Sequence, residues 1–460
     1  MPSAFALRPR VLPWLLSLAA LPALAQPLDP EVARLLQDMQ ARLDRLEARN
    51  AELERRLAEA ANTGREAPLQ ARVEGLAHEL EALRQKSAPL DKLRDIQVGA
   101  SLTMVAQRAR GGGVHASELT SRGDLEVELP GGAIGDAQGR LFAHLRAGDG
   151  GGVVNNAFAT SNATAFGNEP RPVLMQAWYQ LDLPMGGSGG QQDQLELTVG
   201  KIDPFVFFDG NALAADESED FLNLAFVHNP LLDAGGDVGV GAHGASPGLR
   251  LAYVHGLSDG HRLTASLGMF GAGPGADFQD SFNRPFTIAQ LEYAGKTWNG
   301  REGAYRLYAW NNSRANDQVN LTLDTDGDGI ADQGVRERHA GWGLSLDQQV
   351  GEQVGLFARY GHSTRGVLAF DRGLTLGGQL SGDLWGRADD RLGLAIGSLR
   401  PGSAYKSAGN GSQRERIYEL FYAWRPNDYL QLSPSVQYIS HAAGGQGNVT
   451  VWGLRAKASY

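Results

Sequence analysis

Residues 200–229 read GKIDPFVFFDGNALAADESEDFLNLAFVHN, a segment too long for a turn and too polar for a strand. It interleaves the carboxylates of Asp203, Asp209, Asp216, Glu217, Glu219 and Asp220 with the rings of Phe205, Phe207, Phe208, Phe221 and Phe226. Carboxylates accept hydrogen bonds from hydroxyls, and ring faces cover the C–H faces of a polyol, so the pair of residue types suits a small polar solute. Folded into a lumen, the segment would narrow it, with Lys201, Asp203, Phe207, Phe208, Asp209, Asn211, Asp216, Glu217, Phe221 and Asn223 as constriction candidates. The bland alternative is an external loop with solvated acids and phenylalanines packed on one another. Strand alternation adds a second set, Arg250, Arg262, Arg306, Arg359, Arg455 and Lys457, on inward faces. Opposite an acidic loop these cations would set a transverse field. Alternatively each pairs with an inward acid such as Glu126, Glu128, Glu196 or Glu419 and stiffens a wall.

A third constellation, DTDGDGIAD at 324–332, spaces Asp324, Asp326 and Asp328 by two and follows them with Gly329 and Asp332. That matches the opening of a calcium loop, although the twelfth position is Val335 instead of a bidentate Glu. It is a candidate structural calcium site in an external loop, against a solvated acidic turn. The histidines His228, His255, His261, His339, His362 and His441 are scattered, and none sits in a nucleophile setting such as G-x-S-x-G. Nothing here reads as an enzyme. The absence of Cys excludes thiol catalysis and Cys-based zinc sites, and a net charge of -10 argues against nucleic acid as a partner.

These residues ride on strands. From residue 93 to 460 apolar residues recur at period two. DLEVEL sets Leu125, Val127 and Leu129 against Asp124, Glu126 and Glu128, and VWGLRAKASY sets Trp452, Leu454, Ala456, Ala458 and Tyr460 against Arg455 and Lys457. About sixteen such strands are counted, an even number, with short polar turns at one end and longer Gly-, Asn- and Asp-rich stretches (148–172, 203–235, 313–337) at the other. Tyr422, Trp424, Tyr429, Tyr438, Trp452 and Tyr460 stand near strand ends, where interfacial girdles form. The pattern is that of an all-β, antiparallel transmembrane barrel with apolar faces in lipid, closed because no backbone edge survives in hydrocarbon. A secreted two-sheet sandwich is the rival.

Ahead of the barrel, Arg8 and Arg10, an apolar run and Ala23-Leu24-Ala25 form a signal peptide over residues 1–25, pointing to the bacterial outer membrane. The apolar run is short of the roughly 20 residues that span a bilayer. Residues 29–61 carry a heptad seam (Val32, Leu36, Met39, Leu43, Leu46, Asn50, Leu53, Leu57), a short coiled coil whose Asn50 would fix register. A break at 62–68 precedes a second helical segment at 69–88. It either continues the coil or folds back as a hairpin.

The GKIDPFVFFDGN…FLN…NP stretch resembles the signature region of the carbohydrate-selective porin (OprB-like) family, supported by GRADDRLGLAIG at 386–397 and YELFYAWRPNDYLQLSPSVQYI at 418–439. The resemblance spans roughly residues 90–460. It implies a 16-stranded barrel, usually a homotrimer, passing small sugars down their gradients without a cofactor. The helical extension would then lie in the periplasm, clamping the oligomer or touching the cell wall. The other readings are an ion- or oxyanion-preferring channel and an envelope-tethering structural protein.

Overall fold

The structure, a computed structural model, describes residues 96–167, 169–186, 193–232, 244–272, 277–316, 318–319, 336–445 and 447–460. The signal-peptide and coiled-coil segments, the break between the helices and the acidic loop at 324–332 lie outside the described residues.

Ile96–Tyr460 forms one unit built of strands. The first eight are β1 (Gln97–Gly111), β2 (Val114–Ile134), β3 (Ala137–Asp149), β4 (Glu169–Pro184), β5 (Gln194–Ile202), β6 (Ser246–Gly256), β7 (Arg262–Phe270) and β8 (Phe286–Lys296). The second eight are β9 (Glu302–Asn316), β10 (Arg336–Gln349), β11 (Val354–Arg365), β12 (Phe370–Ser381), β13 (Arg391–Pro401), β14 (Glu415–Asn427), β15 (Leu430–Ser440) and β16 (Val449–Ser459). Each pairs antiparallel with its sequence neighbours, and β1 pairs with β16 from Ser101↔Ser459 to Arg110↔Thr450, closing the barrel. Closure leaves no strand edge unpaired, which is the condition for lying in hydrocarbon.

Burial inverts the rule of a water-soluble sheet. On β16 Leu454 is 52% exposed while its neighbour Arg455 is 1% exposed. On β15 Gln431, Ser433 and Gln437 are buried, and Tyr438 is exposed. The apolar parity of every strand read from the sequence therefore looks outward to lipid, and the polar parity looks inward. Most polar side chains inside bond one another or the loops that fold between them, while a few buried atoms, such as Thr103 Oγ1 and Thr375 Oγ1, have no partner among the described residues.

The links β3–β4, β5–β6, β7–β8 and β9–β10 are long and share one end, the extracellular end in outer-membrane barrels. The opposite end carries the turns after β2, β4, β6, β8, β10, β12 and β14, together with Ile96 and Tyr460. Trp424, Tyr429 and Tyr460 ring this end, and Tyr438 and Trp452 ring the other, all exposed. Tyr422 is half-buried and accepts a hydrogen bond from Trp385 Nε1 at 3.1 Å.

Candidate functional site

The β5–β6 link does not stay outside. Residues 203–232 run down into the barrel and along its inner wall, and a central fixed point is Asp209. Its backbone is left-handed (φ 56°), a conformation Asp tolerates better than most residues. Its fully buried carboxylate accepts from Tyr308 Oη (2.7 Å), Arg359 Nε (3.2 Å) and the backbone N–H of Asn229 (2.5 Å). Arg359 also donates to the carbonyls of Ala214 (2.7 Å), Phe226 (2.7 Å) and Asp209 itself (3.1 Å). One guanidinium thus ties three points of the loop to β11.

Asn229 seats in a slot made by missing side chains. Gly343 and Gly361 face each other across β10 and β11, and a Cβ on Gly343 would stand 2.5 Å from Asn229 Nδ2. A Cβ on Gly361 would collide with Asn229 Oδ1. Gly361→Val is expected to unseat Asn229 at a cost of about 1–3 kcal/mol. The check is protease susceptibility within 203–232, which should rise while the strand circular-dichroism signal is unchanged.

The return arm is fixed the same way. Arg455, fully buried, donates to the carbonyls of Glu217 (2.8 Å) and Asp220 (2.9 Å). Glu419 on β14 accepts from the backbone N–H groups of Leu222 (2.7 Å) and Asn223 (2.9 Å). Asn223 caps the single helical turn Leu224–Val227. Phe221 packs into Phe421, Phe226 and Phe357 at ring distances of 5.0, 5.5 and 5.6 Å. Asn211 donates to Leu346 O at 3.1 Å. Glu219 bonds Lys457 (2.8 Å) and Arg391 (3.1 Å), and these cations hold its carboxyl below its usual range against the opposing effect of burial. Burial pushes Asp220 up to about 6, against the pull of Arg391.

This seat corrects several of the expectations drawn from the sequence. Phe208 and Phe221 line no lumen; at 1% and 0% exposure they are the loop's own core, because thirty inward-folded residues need apolar packing against the wall. Asp209, Asn211 and Asn223 are buried anchors. Arg359 and Arg455 lie beneath the loop, with their terminal guanidinium nitrogens donating to its carbonyls, and do not face it across an opening. Glu419 grips backbone N–H groups and no arginine side chain. Lys201 shares the outward parity of Leu197 and Val199 and donates to Leu174 O at 2.6 Å, outside the barrel.

Open space lies on both sides of the loop. Toward β8–β14 a cavity of about 700 Å³ is lined by Leu213, Glu219, Gln379, Arg391 and Arg425 among others, and a second opening runs between the loop and the wall of β1–β4 and β16. From the loop this second opening is lined by Asp203, Phe205, Asp216, Glu217 and His228, with Phe205 stacked on His228 at 3.7 Å. The wall opposite presents Arg122, Asp124, His144 and Arg146. Asp124 bonds Arg122 (2.9 Å), His144 (2.8 Å) and Arg146 (2.5 Å), and Arg122 reaches Glu217 at 2.5 Å. Burial penalises the charge of Glu217, yet Arg122, with Arg146, wins and holds it down to about 2. A separate cleft of about 230 Å³ is lined by Phe207, Glu196, Arg250, Arg262 and Glu292 among others. There Arg250 bonds Glu196 at 2.7 Å and lies 4.5 Å over the Phe207 ring, while Arg306 bonds Glu292 (2.7 Å) and Asp347 (2.6 Å). Arg262 is 59% exposed and 3.7 Å from Glu292, the loosest of these pairs.

The four wall residues Arg122, Asp124, His144 and Arg146 are absent from the candidates that the sequence suggested. Arg122 and Arg146 share the inward parity of Asp124 and His144, so alternation alone could have found them. The β3–β4 link also folds in: Ser161 O accepts from Gln107 and Gln437 at 2.8 Å each, and Ala163 N–H donates to Leu222 O.

The sequence profile of the carbohydrate-selective porin, OprB family, matches residues 89–460. The chain belongs to this family. It is an outer-membrane porin, and fold and family are those of a channel. OprB of Pseudomonas putida in its high-pH structure is 18% identical with a TM-score of 0.62, covering 82% of this chain and 97% of that one. The low-pH structure of the same protein gives 14% and 0.45, over 82% and 97%. OmpT of Vibrio cholerae gives 9% and 0.48, over 79% and 97%. No curated protein matches the sequence.

Proposed function

We propose that this porin passes neutral mono- and short oligosaccharides in preference to ions. One observation carries the reading: the cations at the opening are already matched to carboxylates, Arg122 with Asp124 and Glu217, Arg146 with Asp124, and Arg250 with Glu196. An ion passing such a wall meets little net field to replace its hydration, whereas a sugar can exchange hydroxyl bonds with donors and acceptors side by side. Phe207 supplies the apolar face. The pathway performs no chemistry on the solute.

The test is single-channel conductance in a planar bilayer with a panel of sugars. Concentration-dependent block by one sugar class is expected. An open channel indifferent to every sugar, with a reversal potential set by one ion sign, would instead support the ion-preferring reading. Phe207→Ala is expected to raise the half-blocking sugar concentration roughly 2- to 13-fold, the equivalent of losing about 0.5–1.5 kcal/mol of ring contact.

The heptad seam from Val32 to Leu57 supports a second role, joining the barrels of a homotrimer from the periplasm, with further contact to the cell wall. A complex mass unchanged by deletion of residues 27–88 would remove that role.

A further inference from the structure

The outer rim of the barrel is not uniform. The ladder row that starts at Leu251 on β6 passes through Leu267, Ala289, Ala309 and Trp342, then His362, Arg372 and Arg400 on β11, β12 and β13. Strands tilt in a closed barrel, so a row perpendicular to them climbs, and this one leaves the apolar belt at His362. On the next strand Arg416 stands opposite Ser398, diagonal to Arg400, and Arg365 ends β11. Arg365, Arg372 and Arg416 are exposed and Arg400 is half-buried. Arg400 is held by Asp371 at 2.7–2.8 Å, whereas no described residue forms an ion pair with Arg365, Arg372 or Arg416. Across the barrel the corresponding outward positions on β6–β9 are Leu249, Met269, Thr287 and Asn311, all uncharged.

An independent marker fixes the height of this arc. Trp342 packs on Tyr360 (5.3 Å) and Tyr418 on Tyr438 (6.2 Å), all on the outward parity just below the arginines. Aromatic girdles lie at the headgroup level, so guanidinium groups beyond them sit among lipid phosphates. Beneath the girdle Leu374, Leu376, Leu394, Ile396 and Leu420 are exposed as an acyl-chain surface.

We propose that the extracellular rim of β11–β14 is a binding site for the phosphorylated headgroup of an outer-leaflet glycolipid, with its phosphates on Arg365, Arg372 and Arg416. Guanidinium forks match phosphate oxygens bidentately, and arginines without an ion-pair partner among the described residues can present theirs to the membrane surface. The lipid's acyl chains would run down the leucine and isoleucine surface below.

The test uses the full-length protein in detergent with bisphosphoryl lipid A as the probe, followed by native mass spectrometry. Wild type should retain lipid A, and R365Q/R372Q/R416Q should bind it about a hundredfold more weakly. The charge-keeping R365K/R372K/R416K should keep most of the binding, and it decides the matter should the glutamine variant lose its heat-modifiable folded mobility. Equal binding of fully dephosphorylated lipid A would overturn the proposal. So would an equal loss in R108Q/R110Q, which would mean diffuse charge attraction. Displacement of lipid A by millimolar inorganic phosphate would overturn the lipid assignment in favour of a free-anion site.

Discussion

Arg359→Met is expected to free the inward loop while leaving the barrel intact. The substitution keeps most of the side-chain volume and removes the donors to Asp209, Ala214 O and Phe226 O, all in a site with no access to water. Breaking one partner of a buried pair leaves an uncompensated charge, here the Asp209 carboxylate, and costs about 3–5 kcal/mol. The strand ladder contains none of these bonds, so the loss falls on the loop's seat. Single-channel conductance and current noise should both rise, and proteases should cut within 203–232. Adding Asp209→Asn should recover part of the loss, because the orphaned charge is then gone. Conductance indistinguishable from wild type would mean that the Phe221, Phe226, Phe357 and Phe421 cluster holds the loop unaided. Arg262→Gln, at an exposed and loosely paired site, should change loop stability by less than about 0.5 kcal/mol.

The barrel was legible because a strand with lipid on one side and water on the other must alternate, and β16 does so from Trp452 to its end, although Val449 and Val451 before it are apolar and inward. Strand number and the segregation of long and short links followed from the same pattern. The inward fold of 203–232 was one of two readings that the sequence left open, because phenylalanines can pack on a barrel wall or on one another.

Which of its residues face the pore was not legible. A seat and a constriction draw on the same residue types, and the choice is made on the wall, by residues far away in sequence. Phe208 is buried because Gly268 leaves room for its ring, and Asn229 because Gly343 and Gly361 do. Alternation correctly turned Arg359 and Arg455 inward, but it carries no information on whether water or a loop lies in front of them. Where parity was decisive and left unused, it would have helped: Lys201 falls with Leu197 and Val199, and Arg122 with Asp124. The β3–β4 link reads as an ordinary polar loop because its inward fold rests on buried polar residues, Asn155, Ser161 and Asn162, which elsewhere mark solvent.

Acid should loosen the loop where it crosses to β2. Glu217 is held down to about 2 from an ordinary 4.5, with Arg122 and Arg146 on the facing wall, and Lys457 and Asp216 beside it. A carboxyl depressed in the folded state contributes stability that is present above its unfolded pKa and is lost as pH falls through the folded one. The contribution is about 3 kcal/mol at neutral pH, of which about 2 is gone by pH 3. Conductance recorded from pH 7 down to pH 3 should therefore stay quiet to about pH 4.5 and then show growing fluctuations between open levels. Glu217→Gln removes the titrating group, so the variant should fluctuate at neutral pH and change little from pH 4.5 to pH 3. Its selectivity should also shift toward anions, because Arg122 loses one of two carboxylates while Asp124 stays. A variant as quiet at pH 7 as the wild type would place the hold on this arm in Arg455 and Glu419, whose bonds are to backbone atoms of the loop.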